Sequence, residues 1–260
     1  MNDPHLKSLH YRLIPGDSVD YERAEPITVE TPDFVMKVGA TEATFEMKTH
    51  YTTKDEAKAR VDSWLRCWEV LVGLEHDPGD LSFVFQRADV IDRAPSETNA
   101  KIVNADVHSH IDITMDAVAH VSRGEYPSPP RNFALSPDVE TMYIRYRAYR
   151  EGRESLLSMA YMCLTVLEVS AGGRPNATTK YCIAKPVLDK LGTLCSERGD
   201  PQEARKRPKS GTFVALSNTE KEWITTVIKA IIRRAGECAH DPKAPFPQLT
   251  MNDFPRLIKA

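Results

Sequence analysis

Apolar and polar side chains alternate through FVMKVGATEATFEMKTHY, from Phe34 to Tyr51, on both sides of Gly39. A period of two turns one set of side chains to a core and the other to water, so this stretch predicts a β-hairpin. The period then changes. Thr53 and Glu56 have the spacing of a capping box, and beyond them Ala57, Val61, Trp64, Leu65, Trp68 and Leu71 recur at helical intervals before Gly73 and the HDPGD turn. One amphipathic helix with both tryptophans on its core side is expected there. LSFVFQRADVI, with Leu81, Phe83 and Phe85 facing one way, returns to strand character, and so does KIVNADVHSHIDIT. The first half therefore predicts a mostly antiparallel sheet with one covering helix.

SRGEYPSPPRNF breaks the pattern with prolines and a glycine, which predicts a linker at 124–132 between an α+β sheet domain, 1–123, and a helical domain, 133–260. Ser136 before Pro137 is an N-cap followed by proline at the first helical position. It opens a helical stretch that Gly152 bends or interrupts and that Gly172 and Gly173 end. A shorter helix, about Ala184 to Cys195, precedes the polar, basic loop SERGDPQEARKRPKSG. Ser217 with Glu220 is another capping box, starting a helix whose Trp223, Ile224, Val227, Ile228 and Ile231 face inward. Prolines 242, 245, 247 and 255 predict an extended C-terminal arm laid over the surface. The fold class is thus α+β, an N-terminal sheet unit joined to a C-terminal all-helical bundle.

Charge sharpens the division. Residues 1–130 carry 13 Lys+Arg against 23 Asp+Glu, and residues 131–260 carry 21 against 14, within a net charge of −3. A basic half suits a polyanionic partner, and equally suits the acidic half as its intramolecular counterpart. The five cysteines form no C-x-x-C pair and predict reduced, mostly buried thiols. The first 17 residues lack the apolar core of a signal peptide, and the longest uncharged run, Ser155 to Leu167, is short of the roughly 20 residues that span a bilayer. A cytoplasmic protein without a membrane partner is expected. The chain has no Gly-rich phosphate loop, G-x-S-x-G elbow, dinucleotide fingerprint or zinc-spaced cysteine set, which disfavours ordinary cofactor enzymes.

Chemistry-bearing residues fall in three places. In ADVHSHIDIT, residues 105–114, the histidines of His108-Ser109-His110 with Asp106 and Asp112 form a generous ligand set for a metal-dependent hydrolase. A strand, however, puts Asn104, Asp106, His108, His110, Asp112 and Thr114 on one wet face and Val103, Ala105, Val107, Ser109, Ile111 and Ile113 on the other, which accounts for the pattern without metal. Amidohydrolases and related phosphoesterases open a barrel with this motif and draw later histidines from successive strands. Here only His120 and His240 follow. No metal or other cofactor is assigned.

The second place is MYIRYRAYREGRE, where Tyr143, Tyr146 and Tyr149 alternate with Arg145, Arg147, Arg150 and Arg153. Aromatic faces for stacking and guanidinium groups for phosphate suit RNA, with Arg205, Lys206, Arg207 and Lys209 of the basic loop adding charge. A helix whose tyrosines cover the core and whose arginines face solvent or acidic residues has the same composition.

The third is IIRRAGECAH, in which Arg233 and His240 lie seven apart, two helical turns less about 20°, and so share a face. In a ribonuclease such a histidine moves the 2′-hydroxyl or leaving-group proton while the arginine stabilises the phosphorane. The alternative pairs Arg233 with Glu237 and sets His240 against the negative helix end. An all-helical half with AYMCLTVLE and a later helix carrying Arg, six residues, then His resembles the HEPN domains (higher eukaryotes and prokaryotes nucleotide-binding) over about residues 133–242. The resemblance implies a metal-independent ribonuclease or RNA-binding protein of defence or toxin type, commonly a homodimer. It also implies Arg233 and His240 as catalytic positions, with Glu168 as the acidic residue of an earlier helix. The sequence departs from the family pattern at Arg234, where active members often carry Asn, and at Asp241-Pro242, which stops the helix at the histidine. The expectation from the residues themselves is a non-catalytic binding protein with a protein or nucleic-acid partner.

Overall fold

The computed structural model describes residues 3–93, 103–104, 121–200 and 211–257. The chain forms two compact units, Met1–Pro130 and Arg131–Ala260.

In the first unit, β1 (Pro4–Pro15), β2 (Val19–Asp20), β3 (Ile27–Glu30), β4 (Phe34–Val38) and β5 (Glu42–Met47) precede α1 (Lys54–Glu75), β6 (Leu81–Asp92), β7 (Val103–Asn104) and β8 (Val121–Ser122). The main sheet has the order β3-β4-β5-β1-β6-β7 with antiparallel pairings, and β2 and β8 form a separate parallel pair. The alternating stretch is the β4–β5 hairpin, running in register from Phe34↔Met47 to Val38↔Ala43. It closes where the Gly39 N–H donates to Glu42 O at 2.8 Å.

The central strand, β1, is absent from the sequence prediction. Its Leu9, Tyr11 and Leu13 enter the core, while Ser8, His10 and Arg12 take the opposite face by alternation. A register shift between Leu6 and Ser8 lets Leu6 and Leu9, three residues apart, both reach the core. The bulge hides the period of two. On α1, Ala57, Val61, Leu65, Trp68 and Val72 are buried against this sheet, and Trp64 packs edge-on to Phe34 and Phe45. The expected capping bond at the start of α1 is not made, since Thr53 is the N-cap residue by backbone alone.

The second unit contains α2 (Pro137–Arg150), α3 (Leu156–Ala171), α4 (Arg174–Lys180), α5 (Lys185–Glu197), α6 (Asn218–His240) and a 3-10 turn at Met251–Asp253. Ser136 caps α2, accepting from Val139 N–H at 3.2 Å. The long helical stretch is interrupted rather than bent. Gly152 adopts φ +72°, and Ser155 caps α3 by accepting from Ser158 N–H. Gly172 and Gly173, both at positive φ, turn the chain into α4, a short helix that the sequence prediction omits. At α6 the capping box is complete, with Ser217 Oγ accepting from Glu220 N–H and Glu220 Oε2 accepting from Ser217 N–H.

The helix α3 packs against α2, α4, α5 and α6. The C-terminal arm is pinned more tightly than an extended surface segment. Leu249 N–H donates to Cys182 O, and Ala184 N–H donates to Leu249 O, both at 2.8 Å.

Candidate functional site

Arg233 and His240 stand on one face of α6, and both are exposed. The neighbouring Arg234 has the opposite fate. It is buried, its Nε donating to Glu237 Oε2 at 3.0 Å and its terminal nitrogen donating to the carbonyls of Tyr181 (3.0 Å), Cys182 (3.4 Å) and Pro247 (2.9 Å). Glu237 is thus held by Arg234, where the sequence suggested Arg233.

Glu168, the third residue of the expected catalytic set, projects from α3 into an open groove of about 410 Å³ between α3, α4 and α5. Neither Arg233 nor His240 lines that groove. Arg174 bridges two carboxylates across it, donating from Nε to Glu168 Oε1 at 2.5 Å and from a terminal nitrogen to Asp189 Oδ1 at 3.1 Å. Burial works against the Arg174 charge, but the bonds to Glu168 and Asp189 outweigh it and raise its pKa. Lys185 first, then Arg174, hold the Asp189 carboxyl below the usual range. Gly192 leaves room beside it, since a Cβ there would come within 2.9 Å of the Arg174 guanidinium.

The composition that suits RNA resolves differently at each residue. Tyr143 and Tyr146 are core side chains, 2% and 0% exposed, so their faces are not open to a base. Helical periodicity explains this, since both lie on the α2 stripe with Val139 and Met142. Arg145 pairs with Glu154, Arg147 donates to Glu151 at 2.7 Å, and Arg153 also pairs with Glu151. Arg150 is exposed and not without a partner of its own. Two carboxylates, Glu151 and Glu154, thus engage three of the arginines at this end of α2 within the unit. Arg205, Lys206, Arg207 and Lys209, like Asp106, His108, His110 and Asp112, lie outside the described residues. Among the described residues no group of three or more His, Cys, Asp or Glu side chains is placed to hold a metal.

Two features lie outside the sequence expectations. The first is a polar cluster on the sheet face that carries Ser8, His10 and Arg12. His10 is buried, its Nδ1 2.8 Å from Glu42 Oε1 and its Nε2 2.9 Å from Asp89 Oδ2, and Ser8 Oγ donates to the same Asp89 oxygen at 2.8 Å. Residues of β5, β1 and β6 are thereby tied together side by side. Burial raises the Asp89 pKa, but the bonds from Ser8 and His10, with Arg87 nearby, overcome this and leave it lowered. That stabilisation is present above the ordinary carboxylate range and is lost as the pH falls through the lowered value. The hydroxyl donates to a carboxylate, and His10 joins one carboxylate from each neighbouring strand, so the arrangement is a cross-strand lock. His10→Ala is expected to cost about 1 kcal/mol in urea unfolding, because it removes the buried ring that links Glu42 to Asp89 and leaves Asp89 with Ser8 and Arg87.

The second feature is apolar. Met162 is 37% and Val169 76% exposed on α3, with Val166 half-buried between them. Spacings of four and three residues put these side chains on one face. The sequence signal was present in AYMCLTVLEVS, an α3 stretch apolar on more faces than a core requires.

Comparison with models of known protein families, with curated proteins and with solved structures finds no match to this chain. Among the described residues no single helix is long and apolar enough to cross a membrane.

Proposed function

We propose that this chain is a non-catalytic interaction protein whose helical unit supplies the binding surface. The observation that carries the reading is the exposed α3 face of Met162, Val166 and Val169 beside a groove whose charged groups are already positioned against one another. Exposed apolar side chains gathered on one helix face mark an interaction site more often than they mark chemistry. The acid expected to assist catalysis, Glu168, is engaged by Arg174, and of the tyrosines expected to stack on bases Tyr143 and Tyr146 are in the core while Tyr149 is half-buried.

One observation favours a second reading, a HEPN-like metal-independent ribonuclease: Arg233 and His240 share an exposed face of α6. The two readings separate in one assay. Purified protein is incubated with single-stranded RNA in the presence of EDTA, alongside Arg233→Ala and His240→Ala. Wild type and both variants are expected to leave the RNA equally intact. Cleavage by wild type that disappears in both folded variants contradicts the non-catalytic reading and establishes the ribonuclease.

A further inference from the structure

The occupant of the α3 face is legible in the chemistry on its two flanks. On a helix turning 100° per residue, Met159 and Cys163 lie to one side of the Met162–Val166–Val169 stripe, and Tyr161, Thr165 and Glu168 to the other. The first side is closed, since Met159 and Cys163 are buried and Cys163 Sγ approaches Met142 O of α2 at 3.7 Å. The second side opens into the groove lined by Thr165, Glu168, Arg174, Asp189, Thr193 and Glu197, among others. The apolar stripe and the polar groove therefore form one continuous surface.

That surface selects by charge. Glu168 and Asp189 set their carboxylates against the guanidinium of Arg174, Glu197 adds a third carboxylate to the lining, and Lys185 reaches Asp189 from outside it. Phosphate meets net negative charge here, which disfavours a nucleic-acid backbone. Hydroxyls of Thr165 and Thr193 add polar positions without adding positive charge. From Met162 to Val169 the stripe runs two turns, about 10.5 Å, matching a partner helix with apolar anchors at i, i+4 and i+7. A lysine or arginine on the partner's flank would lie over the groove.

We infer that α3 and the adjoining groove bind an amphipathic helical segment of a protein partner, its apolar anchors on Met162, Val166 and Val169 and its basic flank over Glu168, Asp189 and Glu197. This rests on the interaction reading and names the class of partner. Rim electrostatics of this kind set specificity and association rate more than affinity.

The test uses the full chain and two labelled 18-residue amphipathic peptides with the same leucine face, one flanked by lysines and the other by glutamates, followed by fluorescence polarisation. The lysine-flanked peptide is expected to bind at least tenfold more tightly, and to lose at least tenfold in Val169→Glu. Val169 is largely solvated, so this variant folds as wild type does, which circular dichroism verifies. Glu197→Lys is expected to narrow the preference between peptides while leaving the leucine-dependent part. Equal binding of the two peptides, no binding, or binding indifferent to Val169→Glu overturns the proposal. So does a wild-type dimer in analytical ultracentrifugation that Val169→Glu converts to monomer, because a second copy would then own the face. Failure here leaves the RNA result standing, and RNA cleavage by Arg233 and His240 leaves the peptide result standing, so the two ideas fail separately.

Discussion

Arg234→Ala is expected to destabilise the helical unit by about 3–5 kcal/mol, the range found when one partner is removed from a buried ionic network. The guanidinium is 4% exposed and also lies over the Phe246 ring at 5.1 Å. Its loss leaves Glu237 without this cation and the Tyr181 and Pro247 carbonyls without this donor. Cys182 O is less affected, because it still accepts from Leu249 N–H. A stranded buried carbonyl costs about 1–3 kcal/mol, so the buried bond to Tyr181 O, together with the part-buried bonds to Pro247 O and Glu237, reaches the stated range. Arg234→Lys is expected to recover little, since one ammonium on a flexible stem does not reproduce a planar fork reaching the ends of α4 and the C-terminal arm. Urea unfolding gives the magnitude. Limited proteolysis gives the mechanism, with cleavage after residue 241 expected to appear before the unit unfolds.

Gly236→Ala is the second large effect, expected at about 3 kcal/mol, near the top of the overpacking range. Helix propensity argues the other way, since alanine is favoured over glycine inside a helix by about 1 kcal/mol. Packing decides the sign. A Cβ at Gly236 would stand 2.0 Å from Cε2 of Phe133 and 2.5 Å from two further ring atoms. Phe133 is itself buried, and the next residue is held by the Ala134 N–H bond to Gly236 O at 3.0 Å, so the ring has little room to retreat. If the clash is the cause, Phe133→Leu with Gly236→Ala should be more stable than Gly236→Ala alone, a coupling that a double-mutant cycle measures.

Arg234 also shows what a sequence can and cannot reveal. Elements governed by local rules were legible: the β4–β5 hairpin from its alternation, α2 from Ser136-Pro137, and α6 from the Ser217–Glu220 box, because each signal acts within a few residues. Non-local pairing was not. The strand β1 carries a bulge that shifts Leu6 and Leu9 out of period, and α4 is a short helix between Gly173 and Tyr181 with little apolar stripe to announce it. At the sites, RRAGECAH does not say which arginine turns inward. That depends on carbonyls about 50 residues earlier and 13 later in the chain, at Tyr181, Cys182 and Pro247. Likewise Tyr143 and Tyr146 spell an aromatic-arginine pattern while serving as core, and Glu168, expected as the acid of an earlier helix beside Arg233 and His240, is bonded to Arg174. His10, Glu42 and Asp89 are scattered in sequence and meet only because β5, β1 and β6 lie side by side.

We propose that this chain acts by binding, and that α3 is where it binds. Nuclear magnetic resonance of methyl-labelled protein, titrated separately with the lysine-flanked peptide and with single-stranded RNA, tests it in one measurement. The peptide is expected to shift the methyl signals of Met162, Val166 and Val169, and RNA to leave the signals around Arg233 and His240 at Ile232, Ala235 and Ala239 in place. RNA-induced shifts at those α6 positions, with the α3 methyls unmoved by peptide, would contradict it.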